Sequence, residues 1–124
     1  MKAALIVLSD PANGSEEALG RVFNALATAH EFKARGDEVK LVFQGAGTRW
    51  AGELIRPEHP AHGLFEAVRD TVAGASCGCA EVFGAGEGVE ACGLPRLDAN
   101  PIPGTPGLAS LRGFVADGYS VLTF

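Results

Sequence analysis

The chain has 124 residues, 47% of them apolar and 20% charged, with a net charge of −5. That length supports one domain, residues 1–124, with its own core. The acidic balance without a Lys/Arg run argues against nucleic-acid or anionic-membrane partners, and three cysteines are too few and odd in number for a secreted disulfide framework.

In chain order, "KAALIVLSD" is apolar on both faces, as a buried parallel strand should be. It is too short for a transmembrane helix and lacks a small-residue cleavage site, so a cytoplasmic protein is expected. "PANG" breaks it. "SEEALGRVFNALATAHEFKARGDE" has helical spacing, with Leu19, Val22, Phe23, Leu26, Ala27 and His30 on one side. Ser15 suits its N-cap and Gly36 its C-terminal stop. "EVKLVFQG" is the second strand. "AGTRWAGELI" is a short helix stopped near Pro57, and "LFEAVRDTV" is another, after a proline loop.

"VAGASCG" is the third strand, weak by propensity. "AEVFGAGEGVEACG" reads as one glycine-laden helix anchored by Val82, Phe83 and Val89. "LPRLD" is a short fourth strand and "ANPIPGTPG" a stiff loop. "LASLRGFVADG" is the last helix, and "YSVLTF" the fifth strand. Strands alternating with helices predict a three-layer α/β/α sandwich on a five-stranded, mainly parallel sheet.

Ligands of such sheets gather at the carboxyl ends of the strands. Three loops leave those ends with unusual content: "SDPANGS", "QGAGTRW" and "SCGCAE". If the first three strands are neighbours, these loops share one crevice. The candidate binding residues there are Gly45, Gly47, Thr48, Trp50, Ser76 and Gly78. Gly45 and Gly47 do not complete a nucleotide-binding glycine pattern, because Trp50 stands where the last glycine belongs. The plainer reading is that Gly45 and Gly47 make the turn and Trp50 packs under it, and a mixed one has Trp50 line the crevice mouth.

Cys77 and Cys79 flank Gly78 at the strand-to-helix turn, with the helix expected to begin near Ala80. A helix start favours a thiolate and small neighbours admit a reaction partner, so both are candidate nucleophiles. The plainer reading packs them as small hydrophobes. Cys92, at a helix end, reads as a core residue. A zinc site would need a second hook beside Cys-x-Cys. The only other pair, His59 and His62, lies far upstream, so no metal and no cofactor is expected. No Ser-His-Asp pattern or paired carboxylates support hydrolase chemistry.

Taken together, "KAALIVLSD", "FNALATAHEFKARGDEVKLVFQGAGTRWAGEL", "CAEVFGAGEGVEACGLPRL" and "FVADGYSVLTF" resemble the DsrE/DsrF-like family of small sulfur-relay-related proteins over essentially the whole chain. "FQGAGTRW" and "CAEVFG" are the most specific segments. The resemblance implies a homo-oligomer, a trimer or hexamer. It also implies a cysteine in a strand-to-helix loop that carries sulfur as a persulfide between donor and acceptor proteins. Cys79 matches the cysteine opening the C-A-x-x-F-G segment, so the persulfide is expected on Cys79, with Cys77 as its neighbour or alternate acceptor. Where related chains often hold a second cysteine three positions earlier, this one has Ser76, and Cys77 follows it.

Overall fold

The computed structural model describes residues 1–124. Five strands, β1 (Lys2–Val7), β2 (Glu38–Phe43), β3 (Val72–Ser76), β4 (Arg96–Leu97) and β5 (Ser120–Thr123), pair in parallel throughout in the order β4-β3-β2-β1-β5. The fold is a three-layer α/β/α sandwich. Strands β1 to β4 step in one direction, and β5 returns to the far side of β1. A right-handed crossover must change face when the direction reverses. The helices divide accordingly. α1 (Glu16–Ala34), α2 (Trp50–Leu54), α3 (His62–Val68), α4 (Cys77–Val82) and α5 (Gly86–Cys92) give side chains to one core, and α6 (Leu111–Ala116) packs on the other.

The two cores are unequal. Alternate residues of β1, Ala3, Leu5 and Val7, join Leu41, Phe43, Phe65 and Val89 in a cluster of 22 buried residues. The opposite residues, Ala4 and Ile6, meet Val42, Ala109 and Tyr119 in a cluster of 5. This is why β1 is apolar on both faces. No helix is long and apolar enough to cross a membrane.

Ser15 caps α1 as expected, its Oγ accepting the Ala18 N–H at 3.0 Å. The buried stripe of α1 is rotated from the expected one. Ala18, Val22, Ala25, Leu26 and Ala29 are buried, whereas Phe23 is 47% exposed and Ala27 and His30 also face outward. The helix lies so close to the sheet that alanines fill the contact, and the larger Phe23 is left at the flank.

The expected single helix after β3 is two. Gly84 takes the left-handed conformation (φ 65°), with Ala85 N–H donating to Ala80 O at 2.8 Å and Gly84 N–H to Glu81 O at 3.3 Å. Those two bonds satisfy the last carbonyls of α4 and end it. The chain restarts at Gly86. Val82 is 71% exposed, so Val89 and the half-buried Phe83 are the anchors that remain. The first turn also starts earlier than expected, at Cys77 instead of near Ala80, and the last helix starts later, at Leu111. Ser110 caps that helix by accepting the Gly113 N–H.

Candidate functional site at the carboxyl edge of the sheet

Strands β3, β2 and β1 are neighbours, so the loops leaving them do meet. Two residues of the second loop hold them together. Arg49 Nη1 donates to Asp10 Oδ2 at 2.8 Å in the first loop, and Arg49 Nε donates to Phe83 O at 3.0 Å at the end of α4. Its guanidinium also lies over the Phe83 ring, 5.5 Å from the centroid. Trp50 Nε1 donates to Ser9 O at 2.9 Å. Between these loops lies a cleft of about 360 Å³ lined by Pro11, Ala12, Arg49, Glu53, Gly84 and their neighbours. A second cleft, of about 290 Å³, opens beside β1 and β5, where the strand order reverses. Ser9, Asp10, Asn13 and Arg21 line it.

The second loop is mostly packing. Gln44 is followed by a 3-10 turn over Gly45–Arg49. Gly45 turns the chain with φ 58°, and its carbonyl accepts the Thr48 hydroxyl at 2.8 Å. A side chain at Gly47 would put its Cβ 2.1 Å from Val7 O, so only glycine lets this turn lie on β1. Thr48 and Trp50 are buried, and Trp50 sits in the large core against the edge of His59. None of Gly45, Gly47, Thr48 and Trp50 lines either cleft.

The third loop carries the cysteines on the first turn of α4. Cys77 is half-buried and Cys79 is 8% exposed. Residues two apart on a helix point to different sides, so the two thiols do not face one another. Cys79 is buried yet belongs to neither core cluster. Helix α4 has six residues, so any help for a sulfur anion comes from its first backbone N–H groups more than from a long dipole.

A strap covers this turn. Gly78 N–H donates to Gly107 O at 2.8 Å, and Ser76 Oγ, fully buried, accepts the Ala109 N–H at 3.0 Å. The proline loop is thereby seated on Ser76 and Gly78, with Leu108 and Thr105 against the latter. Neither thiol lines the two clefts.

Cys92 is the core cysteine that was expected. It is 2% exposed, burial pushes its thiol pKa up, and its carbonyl accepts Arg69 Nη2 at 2.6 Å. The histidines serve local structure. His59 Nδ1 accepts the Ala61 N–H at 3.1 Å, and His62 Nδ1–H donates to Leu54 O at 2.7 Å. Burial holds His59 below the usual histidine pKa. No group of three or more His, Cys, Asp or Glu side chains is placed to hold a metal.

Sequence reading named the loops but missed Ser9, Asp10, Gln44 and Arg49. An acidic and a basic residue on loops after adjacent strands were the available signal for the Asp10–Arg49 pair. Nothing local marked Gln44, whose side-chain Oε1 is buried without any hydrogen-bond partner.

No family model matches the sequence. Over 101 residues the chain is 30% identical to the uncharacterised protein MJ0733 of Methanocaldococcus jannaschii, covering 82% of this chain and 78% of that one. The chain belongs to that protein's family. Its fold is also similar to a conserved protein of unknown function from Bacteroides thetaiotaomicron, with a TM-score of 0.59 and 18% identity over 98% of this chain and 94% of the other. The second is a likeness of fold alone.

Proposed function

We propose that this protein is a DsrE/DsrF-like sulfur carrier of the cytoplasm, working as a homo-oligomer, with Cys77 as the sulfur-accepting thiol and Cys79 as its buried neighbour. The observation that carries the reading is a pair of reduced cysteines on one helical turn at the carboxyl edge of a parallel sheet, one of them accessible. The resemblance of "CAEVFG" and "FQGAGTRW" to that family supports it. Accessibility favours Cys77 over Cys79 for first contact with a donor, although Cys79 is the residue that matches the family segment.

The chemistry needs no acid/base machinery beyond the thiols. The Cys77 thiolate attacks the outer sulfur of a donor persulfide, forming a new S–S bond as the donor's S–S bond breaks. The donor leaves as a thiolate and takes up the proton that Cys77 lost. Transfer to an acceptor thiol repeats the exchange in the forward direction, so no external oxidant or reductant enters. The test compares intact masses after incubation with a low-molecular-weight persulfide. The wild type and Cys79→Ser gain sulfur, and Cys77→Ser does not. Equal loading of Cys77→Ser and wild type would remove Cys77 from the role.

A second reading, a module binding a small polar ligand, is favoured by the cleft under Arg49. The guanidinium reaches Asp10 and Phe83 through Nη1 and Nε, leaving Nη2 without a partner in the chain. This reading predicts a ligand whose binding survives a Cys77→Ser, Cys79→Ser double replacement and is lost in Arg49→Met.

A further inference from the structure

Arg49, the N-cap of α2, and Glu53 within it stand four residues apart, the spacing at which opposite charges on a helix meet. They do not pair. Arg49 is drawn to Asp10 and to the Phe83 carbonyl, and Glu53 Oε2 accepts Arg56 Nη1 at 2.9 Å. Each keeps one terminal group without a partner in the chain, Nη2 on Arg49 and Oε1 on Glu53. Both residues line the cleft of about 360 Å³, and they are the only charged ones that do. Asp10 lines the neighbouring cleft and Arg56 lines neither. The rest of the wall is Pro11, Ala12, Gly84, Ala85 and Gly88.

The two charges are held in place before any ligand arrives. Gly52 and Gly88 bring α2 and α5 into backbone contact, where a Cβ on Gly88 would meet the Gly52 Cα at 3.0 Å. Helix α2, and Glu53 with it, is thereby seated against the cleft wall. Arg49 is tied on two sides by Asp10 and Phe83. Groups fixed in advance lose little freedom on binding. Asp10 balances Arg49 and Arg56 balances Glu53, so the four charges cancel. The cleft separates charge without carrying a net charge. That favours a ligand with an anion at one end and a cation at the other. A phosphate or dicarboxylate would meet Glu53 as a like charge, and a simple amine would meet Arg49 as one. A quaternary ammonium has no N–H to give Glu53.

We propose that the cleft between Arg49 and Glu53 binds a free α-amino acid with an uncharged side chain. Its carboxylate accepts from Arg49 Nη2, its ammonium donates to Glu53 Oε1, and its side chain lies along Pro11, Ala12 and Ala85. The volume is at the small end of ligand sites, which suits a single amino acid. The proposal rests on reading this cleft as a ligand site and is independent of the thiols, neither of which lines it.

The test titrates the folded protein with glycine, L-alanine, L-serine, L-leucine and L-methionine, each alone, and follows the amide resonances by NMR. Shifts at Gly84, Ala85 and Gly88 report the cleft, and Leu122 on the open sheet edge is the control. The tightest amino acid is then compared with its deaminated and decarboxylated analogues and with inorganic phosphate. Each analogue should bind roughly ten- to a hundredfold more weakly, the loss of one charged hydrogen bond. Glu53→Gln should weaken the amino acid by a similar factor and should not weaken the deaminated acid. The Glu53–Arg56 pair that this variant removes is exposed, so folding is little affected. Amino-acid binding unchanged in Glu53→Gln would overturn the proposal. So would phosphate or the deaminated acid binding as tightly as the amino acid and being lost in Arg49→Met, which would leave the cleft an anion site. If none of these probes moves the cleft amides, the proposal and the ligand-site reading fall together.

Discussion

Arg49 links three segments that the sequence separates, the loop after β1, its own turn after β2 and the end of α4. The Arg49–Asp10 pair is about one-third exposed on each side, 36% and 29%, so screening reduces what it contributes. Arg49→Met is expected to cost roughly 1–2 kcal/mol by urea denaturation, below the full value of a charged hydrogen bond. Gly47 is the stricter position. Gly47→Ala drives a Cβ into the Val7 carbonyl, which is main chain and has nowhere to move. Its cost should reach or pass the upper end of the roughly 1–3 kcal/mol typical of overpacking, whereas a cost under about 1 kcal/mol would mean that the turn does not lie on β1 as described. His59 gives a pH signature. Its pKa is lowered by burial, so the unfolded chain binds the proton first as pH falls. The neutral ring's contribution is complete above the ordinary histidine pKa of about 6.5, and it is lost as pH drops through the depressed folded value. Denaturation midpoints at pH 7.5 and pH 5 should therefore differ less in His59→Asn than in the wild type, and an equal difference would exclude His59 as a source.

Among elements, α1, β1 and β2 were readable because several signals agreed: the Ser15 cap, the Gly36 stop and the unbroken apolar runs. The face of α1 was less so. Helical spacing admits Phe23 or Ala25 to the buried side, and only the closeness of the sheet selects alanine. The break between α4 and α5 has the same character. Three glycines lowered helix propensity along the stretch, but choosing Gly84 as the stop required knowing that its φ is positive and that Ala80 and Glu81 carbonyls are captured there. The site was legible as loops and cysteines. Which cysteine is accessible, the strap across Gly78 and the isolation of Gln44 all arise from contacts between distant parts of the chain. At this scale the large core predicts that Phe65→Ala, in α3 against Phe43, destabilises by about 3–5 kcal/mol. Val82→Ala, at an exposed site of α4, should stay within about 0.5 kcal/mol in the same denaturation series.

The whole molecule is lopsided. Five helices cover one face of the sheet and a six-residue α6 covers the other, and β5 leaves an open edge with Leu122 40% exposed. Val115 on α6 is 61% exposed. This thin side supports the proposed self-association, and light scattering should return a multiple of the 12.8 kDa chain mass. A single-chain mass at micromolar protein would contradict that part of the proposal. Sulfur loading of the cysteine turn is tested by peptide mapping of the wild-type protein after treatment with a persulfide donor. One added sulfur atom is expected on the peptide bearing Cys77 and Cys79, assigned to Cys77 by fragmentation, with Cys92 unmodified. Folded protein carrying no added sulfur at either cysteine of that turn would contradict it.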